Sequence, residues 1–427
     1  MTVQTAAKPF APVAASAEAP VLIAGGGIGG MAAALSLARQ GVEVHLFEQA
    51  PELSEVGAGI QLGPNAVRVL EDWGLGDALR AVAAFPEALQ VRDSAGGGML
   101  GVLPLGERTR RLYRQPYACI HRVDLLALLT EAVAGWREAT LHLGQRITGY
   151  ELTGSGGVCV HTQHEERCRE GAALVGADGL WSAVRGQMLG KAPPRFSGHL
   201  AYRGTVPAAA LPERLRAPRV TAWFGERLHV VHYPVRSGNV FNVVAVIEGE
   251  LGKGHGLEPD GDPRNWSHEA RAVDLLRALK PAHKDLLDVI DAVQHWQLWA
   301  LHDRAPVASA AEHAEGPVAL LGDAAHPLRP YLAQGAAMAL EDAWTLGRMV
   351  HTGAKTPDWP VLMKAYAQTR WARNARVQAR SARNGTIFHA GGLLRWGRNL
   401  AMSALGEKLM DVPWLYQGPP EPRRIAH

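Results

Sequence analysis

The chain enters its first predicted strand and turn at Val21-Leu22-Ile23-Ala24-Gly25-Gly26-Gly27-Ile28-Gly29-Gly30. Four apolar residues, typical of a buried strand, run directly into glycines, and a helix of small residues is predicted from Met31 to Arg39. A second strand, over 44–48, ends in Glu48. A strand, a glycine-rich turn, a helix, a strand and a terminal acid together predict the βαβ unit that binds dinucleotides.

Each glycine of the G-x-G-x-x-G motif has its own role in such a unit. Gly25 permits the tight turn, Gly27 lets the backbone approach a pyrophosphate, and Gly30 allows the helix to pack closely on the strand. Amide groups at the helix N-terminus then face the phosphates. Glu48 is placed to accept hydrogen bonds from ribose hydroxyls, and an acid there disfavours the 2′-phosphate of NADP. The motif alone does not choose between FAD and NAD.

Composition limits the class of protein. With 47% hydrophobic residues, 20% charged residues and a net charge of +3, the 427-residue chain is typical of a globular protein. It has no long basic run that would suggest a nucleic-acid partner. No segment is long and apolar enough to predict a membrane span, and no secretory signal is recognised. Residues 1–20 and 418–427 are expected to be disordered tails.

Cysteine and histidine usage gives no indication of a metal site or a disulfide framework. The three cysteines, Cys119, Cys159 and Cys168, are an odd and sparse set, which argues against both and fits a cytoplasmic location. His229 and His232 form an H-x-x-H pair, but three residues apart on a strand they would face opposite sides. We therefore expect no bound metal.

Two later segments repeat the pattern of an apolar strand that runs into a glycine and an acid. The first ends in Gly176-Ala177-Asp178-Gly179, and the second in Gly322-Asp323-Ala324-Ala325-His326-Pro327. Between them, 199–250 is dominated by strand patterns, with Gly204 among the expected breaks. Because the three strand-to-glycine segments lie far apart, we predict one nucleotide domain interrupted by a β-rich insertion. From 360 to 406 the chain is predicted to be mainly helical, with a solvated basic face.

From about Val21 to Ala390, the three motifs in this order resemble those of the single-component, FAD-dependent aromatic hydroxylases, the class A flavoprotein monooxygenases typified by para-hydroxybenzoate hydroxylase. The resemblance implies an α/β fold: a Rossmann-like FAD-binding domain of the glutathione-reductase type, an inserted β-sheet substrate domain and a C-terminal helical region. The implied division is a FAD-binding domain at 21–90, 118–198 and 301–350, a substrate-binding sheet domain at 91–117 and 199–300, and C-terminal helices at 351–417.

The resemblance also assigns residues to non-covalently bound FAD. They are Gly25, Gly27 and Gly30 for the ADP part, Glu48 for its ribose, Arg122 for the phosphates or ribose, Asp178 with Gly179 for FAD and the nicotinamide nucleotide, Asp323 for the ribityl chain, and the amides of Gly335 and Ala336 for the pyrimidine ring. A helix beginning at Gly335 would favour negative charge on the reduced flavin. In this family NADH or NADPH visits transiently, and the flavin reacts with O2 to form a C4a-hydroperoxide that an activated ring attacks.

Within the family, 229–234 and 326–335 look most like 3-hydroxybenzoate 6-hydroxylases, which implies conversion of a small aromatic carboxylate, 3-hydroxybenzoate, to gentisate. The same segments are similar to salicylate hydroxylase and 6-hydroxynicotinate 3-monooxygenase. Pro330 follows the wider family where the first group favours Gln, so the substrate and ring position stay open. An FAD-dependent oxidase or dehydrogenase is the alternative class, because a fold does not fix a function. Monomer and homodimer both stay open.

His229 and Tyr233 are the predicted catalytic residues. Leu228 to Val235 reads as a strand, and its two-residue period puts His229, Val231 and Tyr233 on one face. The related hydroxylases place this strand beside the substrate ring. A neutral imidazole can take the phenol proton, so we assign His229 as the base and Tyr233 as an orienting hydrogen-bond partner. The alternative is that both side chains only satisfy neighbours under the sheet.

Overall fold

The computed structural model describes residues 19–53, 58–165, 167–251, 262, 268–350 and 357–419. The two predicted tails lie outside these residues, apart from 19–20 and 418–419. Within the described ranges, the strands are β1 (Val21–Ala24), β2 (Val44–Phe47), β3 (Gly59–Leu62), β4 (Ala88–Asp93), β5 (Met99–Pro104), β6 (Ala118–His121), β7 (Ala139–His142), β8 (Ile147–Leu152), β9 (Val158–Thr162), β10 (Arg169–Gly171), β11 (Ala173–Gly176), β12 (Arg195–Pro207), β13 (Arg219–Phe224), β14 (Leu228–Val235), β15 (Val240–Glu248), β16 (His268–Ala270), β17 (Trp296–Asp303), β18 (Ala314–Glu315) and β19 (Val318–Leu320). The helices are α1 (Ile28–Ala38), α2 (Pro64–Asp72), α3 (Gly76–Val82), α4 (Gly106–Tyr113), α5 (Arg122–Ala134), α6 (Ala183–Leu189), α7 (Ala272–Ala278), α8 (Lys284–Asp291), α9 (Gly335–Met349), α10 (Trp359–Phe388), α11 (Gly392–Met410) and α12 (Pro413–Tyr416).

The predicted β1–α1–β2 unit lies in a sheet that we call the parallel sheet. In the described part of the chain it has six strands, in the order β18-β19-β11-β1-β2-β7. β18 pairs antiparallel with β19, and the other neighbours are parallel. β1, β11 and β19 are the three apolar strands predicted from the three motifs, and they are direct neighbours. The carboxyl ends of these strands therefore bring the three motifs to one edge of the sheet.

Small residues let α1 pack closely against this sheet and against α9. A Cβ atom on Gly30 would lie 1.8 Å from the carbonyl oxygen of Gly25, so the helix could not sit this close to the turn with any side chain there. A Cβ atom on Gly347 of α9 would lie 2.2 Å from Oγ of Ser36 in α1. Met31 and Leu35 are buried in the same core. The role predicted for Gly30 in helix packing is thus confirmed.

The second large sheet, which we call the mixed sheet, has the order β16-β17-β12-β15-β14-β13-β4-β5 over the described residues. β13 and β4 are parallel, and the other pairs are antiparallel. Helices α7 and α8 cover one face, where Leu275 and Ile290 bury against Tyr202 and Val230. The opposite face is turned toward the parallel sheet and the C-terminal helices. β4 and β5 form an antiparallel hairpin at one edge of this sheet.

Two expectations about this part of the chain are wrong. Gly204 does not break a strand but lies within β12. A side chain would not fit at this position, because its Cβ would lie 2.2 Å from the Val293 side chain and 2.9 Å from the carbonyl oxygen of His295. Cys159 and Cys168 form a disulfide across the β9–β10 hairpin, with Cα atoms 5.6 Å apart. The odd number of cysteines could not reveal that two of them face each other across a hairpin, whereas Cys119 is buried and unpaired.

The basic face predicted for the C-terminal helices is partly buried. Arg370 of α10 is fully buried and its Nε donates to Oδ1 of Asp342 in α9 at 2.7 Å. Arg373 Nε donates to Glu341 Oε2, also at 2.7 Å. These ion pairs fix α10 to α9, so the expectation of a fully solvated face is wrong. Among the helices of the described ranges, none combines the length and hydropathy that crossing a lipid bilayer requires.

Candidate active site

A cavity of about 340 Å³ lies between the carboxyl edge of the parallel sheet and the open face of the mixed sheet. We call its first side the glycine wall, which includes Gly27, Gly29, Arg122, Gly179, Asp323, Gly335 and Ala336. We call its second side the sheet wall, which includes Ala201, Arg203, His229, Val231, Tyr233, Val244, Val246 and Trp299. One cavity therefore joins the predicted cofactor motifs to the predicted catalytic strand.

The first glycine turn is shaped for a large anionic group. Gly25 has φ of +100°, and a Cβ atom there would lie 2.5 Å from the carbonyl oxygen of Ala177, so only glycine fits. Gly27 lines the cavity and is the N-cap of α1, and no side chain caps the helix. The first backbone N–H groups of α1 are thus left for an outside acceptor, the arrangement that binds phosphate at helix N-termini.

Two of the predicted cofactor residues have side chains bonded to the protein backbone and lie outside the cavity lining. Glu48 Oε2 accepts a hydrogen bond from Gly26 N at 2.6 Å, and its Oε1 accepts one from Ala50 N at 2.8 Å. Asp178 Oδ2 accepts from Ala183 N at 2.7 Å and so caps α6. Carboxylate oxygens accept more than one hydrogen bond each, so both groups keep capacity for a ribose hydroxyl. Burial raises the pKa of Asp178, and the hydrogen bonds to its carboxylate only partly oppose this shift.

Asp323 and Arg122 contribute opposite charges to the glycine wall. Asp323 follows β19 and its side chain is open to the cavity. Desolvation raises the pKa of Asp323, while His326 and Arg122 act in the opposite direction. Arg122 is the first residue of α5, and its backbone N–H donates to Ala58 O at 3.1 Å. FAD needs an acceptor for its sugar hydroxyls, which a carboxylate supplies, and a donor for its phosphates, which a guanidinium supplies. These residues therefore fit that cofactor.

Helix α9 begins at the cavity. A short turn at Pro330–Leu332 and a left-handed Ala333, with φ of +51°, lead into α9, which begins at Gly335 as the sequence predicts. Gly335 and Ala336 both line the cavity, and a Cβ atom on Gly335 would meet no described atom within 4 Å. The positive end of the helix dipole therefore faces open space, where it would stabilise negative charge on a bound ring.

The middle of α9 is held by a buried ionic network. His326 Nε2 and Asp342 Oδ2 lie 2.5 Å apart, and Gly322 N donates to the same oxygen at 3.1 Å. Burial acts to raise the pKa of Asp342, but His326 and Arg370 hold it well below its ordinary value. The carboxylate is therefore charged at neutral pH. It ties the turn after β19 to α9 and so fixes Asp323 relative to the helix N-terminus.

The sheet wall carries the predicted catalytic face. His229, Val231 and Tyr233 all line the cavity, while Val230 is buried under α7 and α8, as the two-residue period predicts. His232 lies on that far face, stacked on Trp223 with ring centroids 6.5 Å apart. The H-x-x-H pair is thus split between the two sides of the sheet.

The two candidate catalytic groups are held in different ways. His229 is 3% exposed, and its Nδ1 lies 2.8 Å from Nε2 of His389. Burial, with a contribution from His199, lowers the pKa of His229 to about 3, so its imidazole is neutral at pH 7. Tyr233 donates its hydroxyl proton to Gly59 O at 2.6 Å, and burial raises its pKa. Its oxygen lone pairs can still accept a hydrogen bond.

Sequence reasoning missed two residues here. Arg203 shares the cavity-facing side of β12 with Ala201, and its guanidinium lies 3.5 Å from the centroid of the Trp299 ring. Burial, followed by the charge of Arg122, lowers the pKa of Arg203 to about 9, which leaves it positive at neutral pH. An arginine directly after the apolar run Leu200-Ala201-Tyr202 was a usable signal. His389, at the end of α10, is 160 residues from His229 and gave none.

One group in the described ranges has the composition of a metal site. Ligand atoms of His199, Glu248 and His389 lie within 4.8 Å of one another. Two imidazoles and a carboxylate form a donor set that zinc accepts. Glu248 is already engaged, because Arg227 Nε donates to its Oε2 at 2.7 Å.

Comparison with known proteins agrees with this geometry. The sequence matches the family model described as FAD binding domain over residues 18–381. It is 38% identical over 402 residues to 3-hydroxybenzoate 6-hydroxylase of Polaromonas naphthalenivorans (strain CJ2), covering 94% of this chain and 96% of that protein. It is 35% identical over 400 residues to 3-amino-4-hydroxybenzoate 2-monooxygenase of Streptomyces platensis, covering 93% and 95%. A solved salicylate hydroxylase substrate complex superposes with a TM-score of 0.77 at 26% identity, covering 93% and 95%.

These findings confirm the predicted fold class, enzyme class and cofactor. The protein uses FAD, and NAD(P)H and O2 are the co-substrates typical of its relatives. Its reaction is an FAD-dependent hydroxylation of an aromatic compound. The family match covers most of the chain, and the similar proteins match it almost from end to end. The chain therefore belongs to the FAD-dependent aromatic monooxygenase family.

Proposed function

We propose that the protein hydroxylates a phenolic aromatic carboxylate, and that this substrate is 3-hydroxybenzoate, converted to gentisate. One observation carries the proposal: a neutral buried imidazole, His229, and a half-buried cation, Arg203, face the same cavity across an apolar floor. The imidazole suits the phenol and the guanidinium suits the carboxylate. The similarity to 3-hydroxybenzoate 6-hydroxylases supports this choice of substrate.

Strand register gives the size of the ligand. Arg203 pairs with Val244 of β15, which pairs with Val231 of β14, and His229 is two residues before Val231. Neighbouring strands are about 4.8 Å apart, so the backbones of β12 and β14 are separated by about 10 Å. The part of the cavity floor between these two strands is formed by Val244 and Val246 and is wide enough for one aromatic ring.

The residues of this chain divide the work. Gly27, the start of α1 and Arg122 would hold the phosphates of FAD, and Asp323 its ribityl chain. Bound reduced FAD supplies the activation of O2. The N-terminus of α9 at Gly335 would stabilise negative charge on the pyrimidine edge of the ring. His229 accepts the phenol proton, because the phenolate is the better nucleophile, and Tyr233 orients the hydroxyl.

We assign the domains in the same way. The segments 21–90, 118–198 and 301–350, which carry the parallel sheet, serve as the FAD-binding domain. The segments 91–117 and 199–300, which carry most of the mixed sheet, serve as the substrate domain. The segment 351–417 braces α9 through Arg370 and Arg373.

Turnover of a small substrate panel tests the proposal. The purified flavoprotein is mixed with NADH and either 3-hydroxybenzoate, salicylate or 6-hydroxynicotinate, and oxygen uptake and product mass are followed. We expect 3-hydroxybenzoate to stimulate NADH oxidation and to yield gentisate. Salicylate or 6-hydroxynicotinate as the preferred substrate would change the assigned substrate. Peroxide without an oxygenated ring would identify an oxidase and overturn the proposal.

A further inference from the structure

Three titratable side chains connect the cavity to the protein surface. His229 lies on the sheet wall, and its Nδ1 is 2.8 Å from Nε2 of His389. Nδ1 of His389 is 3.7 Å from Oε1 of Glu248, the last residue of β15. His229 and His389 are 3% and 4% exposed, whereas the Glu248 side chain is 32% exposed. The three groups thus run from the buried substrate side to water.

Hydrogen-bond chemistry orients this chain. Two neutral imidazoles at 2.8 Å must share one N–H between them. If Nε2 of His229 accepts from a phenol, its Nδ1 carries hydrogen and donates to Nε2 of His389. Nδ1 of His389 then carries the next hydrogen, and this buried atom has no hydrogen-bond partner among the described residues. The nearby Glu248 carboxylate can only accept while it is ionised, so it is the matching end of the chain.

We propose that His389 and Glu248 form a proton relay that carries the phenol proton from His229 to solvent. The proposal rests on the function proposed above, in which His229 is the base. The phenol O–H bond breaks as an N–H bond forms at Nε2 of His229. The hydrogen on Nδ1 of His229 moves to Nε2 of His389. The hydrogen on Nδ1 of His389 moves to Oε1 of Glu248 once rotation of the half-exposed Glu248 side chain shortens the 3.7 Å separation to hydrogen-bond distance. One proton leaves the substrate and one arrives at the surface, with no change in oxidation state.

The surroundings favour passing the proton on over holding it. Around His389 lie His229 and Glu248, the His199 ring at 4.9 Å and the Tyr331 ring at 5.7 Å. Burial, then His229, His199 and Arg398, lower the pKa of His389 to about 2. A doubly protonated ring is therefore a costly state at either histidine. Each ring avoids the doubly protonated state if it gains a proton at one nitrogen while it loses a proton from the other. The half-exposed Glu248 then delivers the proton to water.

The test measures how fast a bound phenol ionises. The holoenzyme is mixed with 3-hydroxy-4-nitrobenzoate, whose phenolate absorbs visible light, and the ionisation rate is followed by stopped flow after a pH jump. We expect His389→Gln and Glu248→Gln to slow ionisation by about tenfold or more. Both variants should keep wild-type FAD content, and the solvent deuterium isotope effect on the step should increase. Glu248→Gln alters a half-exposed residue and keeps the test decisive if His389→Gln fails to fold.

Two matched controls separate the relay from packing. His199→Gln changes a ring that contacts His389 but lies off the path, and Arg227→Gln removes the ion pair of Glu248 without removing its carboxylate. Both should ionise the phenol at close to the wild-type rate. Wild-type rates in His389→Gln and Glu248→Gln would overturn the relay, as would an equal loss in His199→Gln, which would indicate packing or a shared metal. A wild-type enzyme that forms no hydroxylated product from 3-hydroxybenzoate would instead overturn the proposed function.

Discussion

The two walls of the cavity present different chemical groups to their ligands. The glycine wall offers mainly backbone: the turn at Gly27, the N-terminus of α1 and the N-terminus of α9 at Gly335. The sheet wall offers side chains, among them Arg203 and His229, on a floor of valines. Backbone dipoles cannot titrate and are fixed by the fold, so they suit a cofactor that stays in place. Side chains can exchange protons and can vary without altering the fold, so they suit the substrate.

This contrast makes the two walls separable by mutation. Damage to the glycine wall should cost flavin and, with it, every activity. Damage to the sheet wall should leave the flavin in place and change only what happens to the aromatic substrate. The predictions below test that separation.

The largest effect is expected from Gly27→Val. A branched side chain at the N-cap of α1 would fill the space where the pyrophosphate must approach. The variant should purify as a folded but colourless protein without FAD, whereas the wild type should carry FAD that denaturation releases. Gly154→Val is the matched control, because a Cβ there meets no described atom within 4 Å. Full flavin content in Gly27→Val would remove this turn from the cofactor site.

His229→Ala tests the sheet wall at the proton-accepting position. The variant should bind FAD and oxidise NADH, but release hydrogen peroxide in place of most product, because an un-ionised phenol is a poor nucleophile. The hydroxylation rate should fall by about 10²–10⁴. His232→Ala, on the opposite face of β14, should lower thermal stability and leave coupling between NADH oxidation and product unchanged. Wild-type coupling in His229→Ala would mean that the base lies elsewhere.

Asp323→Ala returns to the glycine wall with a smaller change. Asp323 lies at the end of β19, open to the cavity, and its loss removes one charged hydrogen bond to the cofactor. FAD affinity, measured by titration of the apoprotein, should weaken by about 1.5–3 kcal/mol. Product per NADH at saturating FAD should stay near the wild-type value. An unchanged FAD affinity would show that Asp323 only shapes the turn.

The contrast between the walls also explains what could be predicted from sequence. The glycine wall is built mainly by three motifs, each of which is a short continuous stretch of sequence. Because these motifs follow adjacent parallel strands, the sheet necessarily brings them together. The sheet wall is assembled by pairing across long separations, so only residues on one strand, such as His229 and Tyr233, could be placed by periodicity. His389 reaches His229 from the end of a 30-residue helix, which no local pattern indicates.

Motifs also locate a residue better than they orient its side chain. Glu48 and Asp178 lie at the ends of β2 and β11, where the βαβ pattern puts them, yet both bond to backbone amides and neither lines the cavity. Arg370 and Arg373 follow a helical period, but which face is solvated depends on Glu341 and Asp342 of another helix. Such choices are made by tertiary contacts, which a single stretch of sequence does not contain.

Arg203→Lys should have the smallest effect, and it tests whether the sheet wall selects a carboxylate. Lysine keeps the positive charge but loses the planar pair of donors that matches a carboxylate, and it loses the stacking of the guanidinium on Trp299. KM for 3-hydroxybenzoate should rise about tenfold, equal to about 1.4 kcal/mol, while kcat and FAD content change little. 3-Hydroxybenzamide has no carboxylate and cannot form the ion pair with either protein. It should therefore bind the wild type and the variant with similar affinity. An equal loss of affinity for the acid and the amide would mean that Arg203 only supports the pocket.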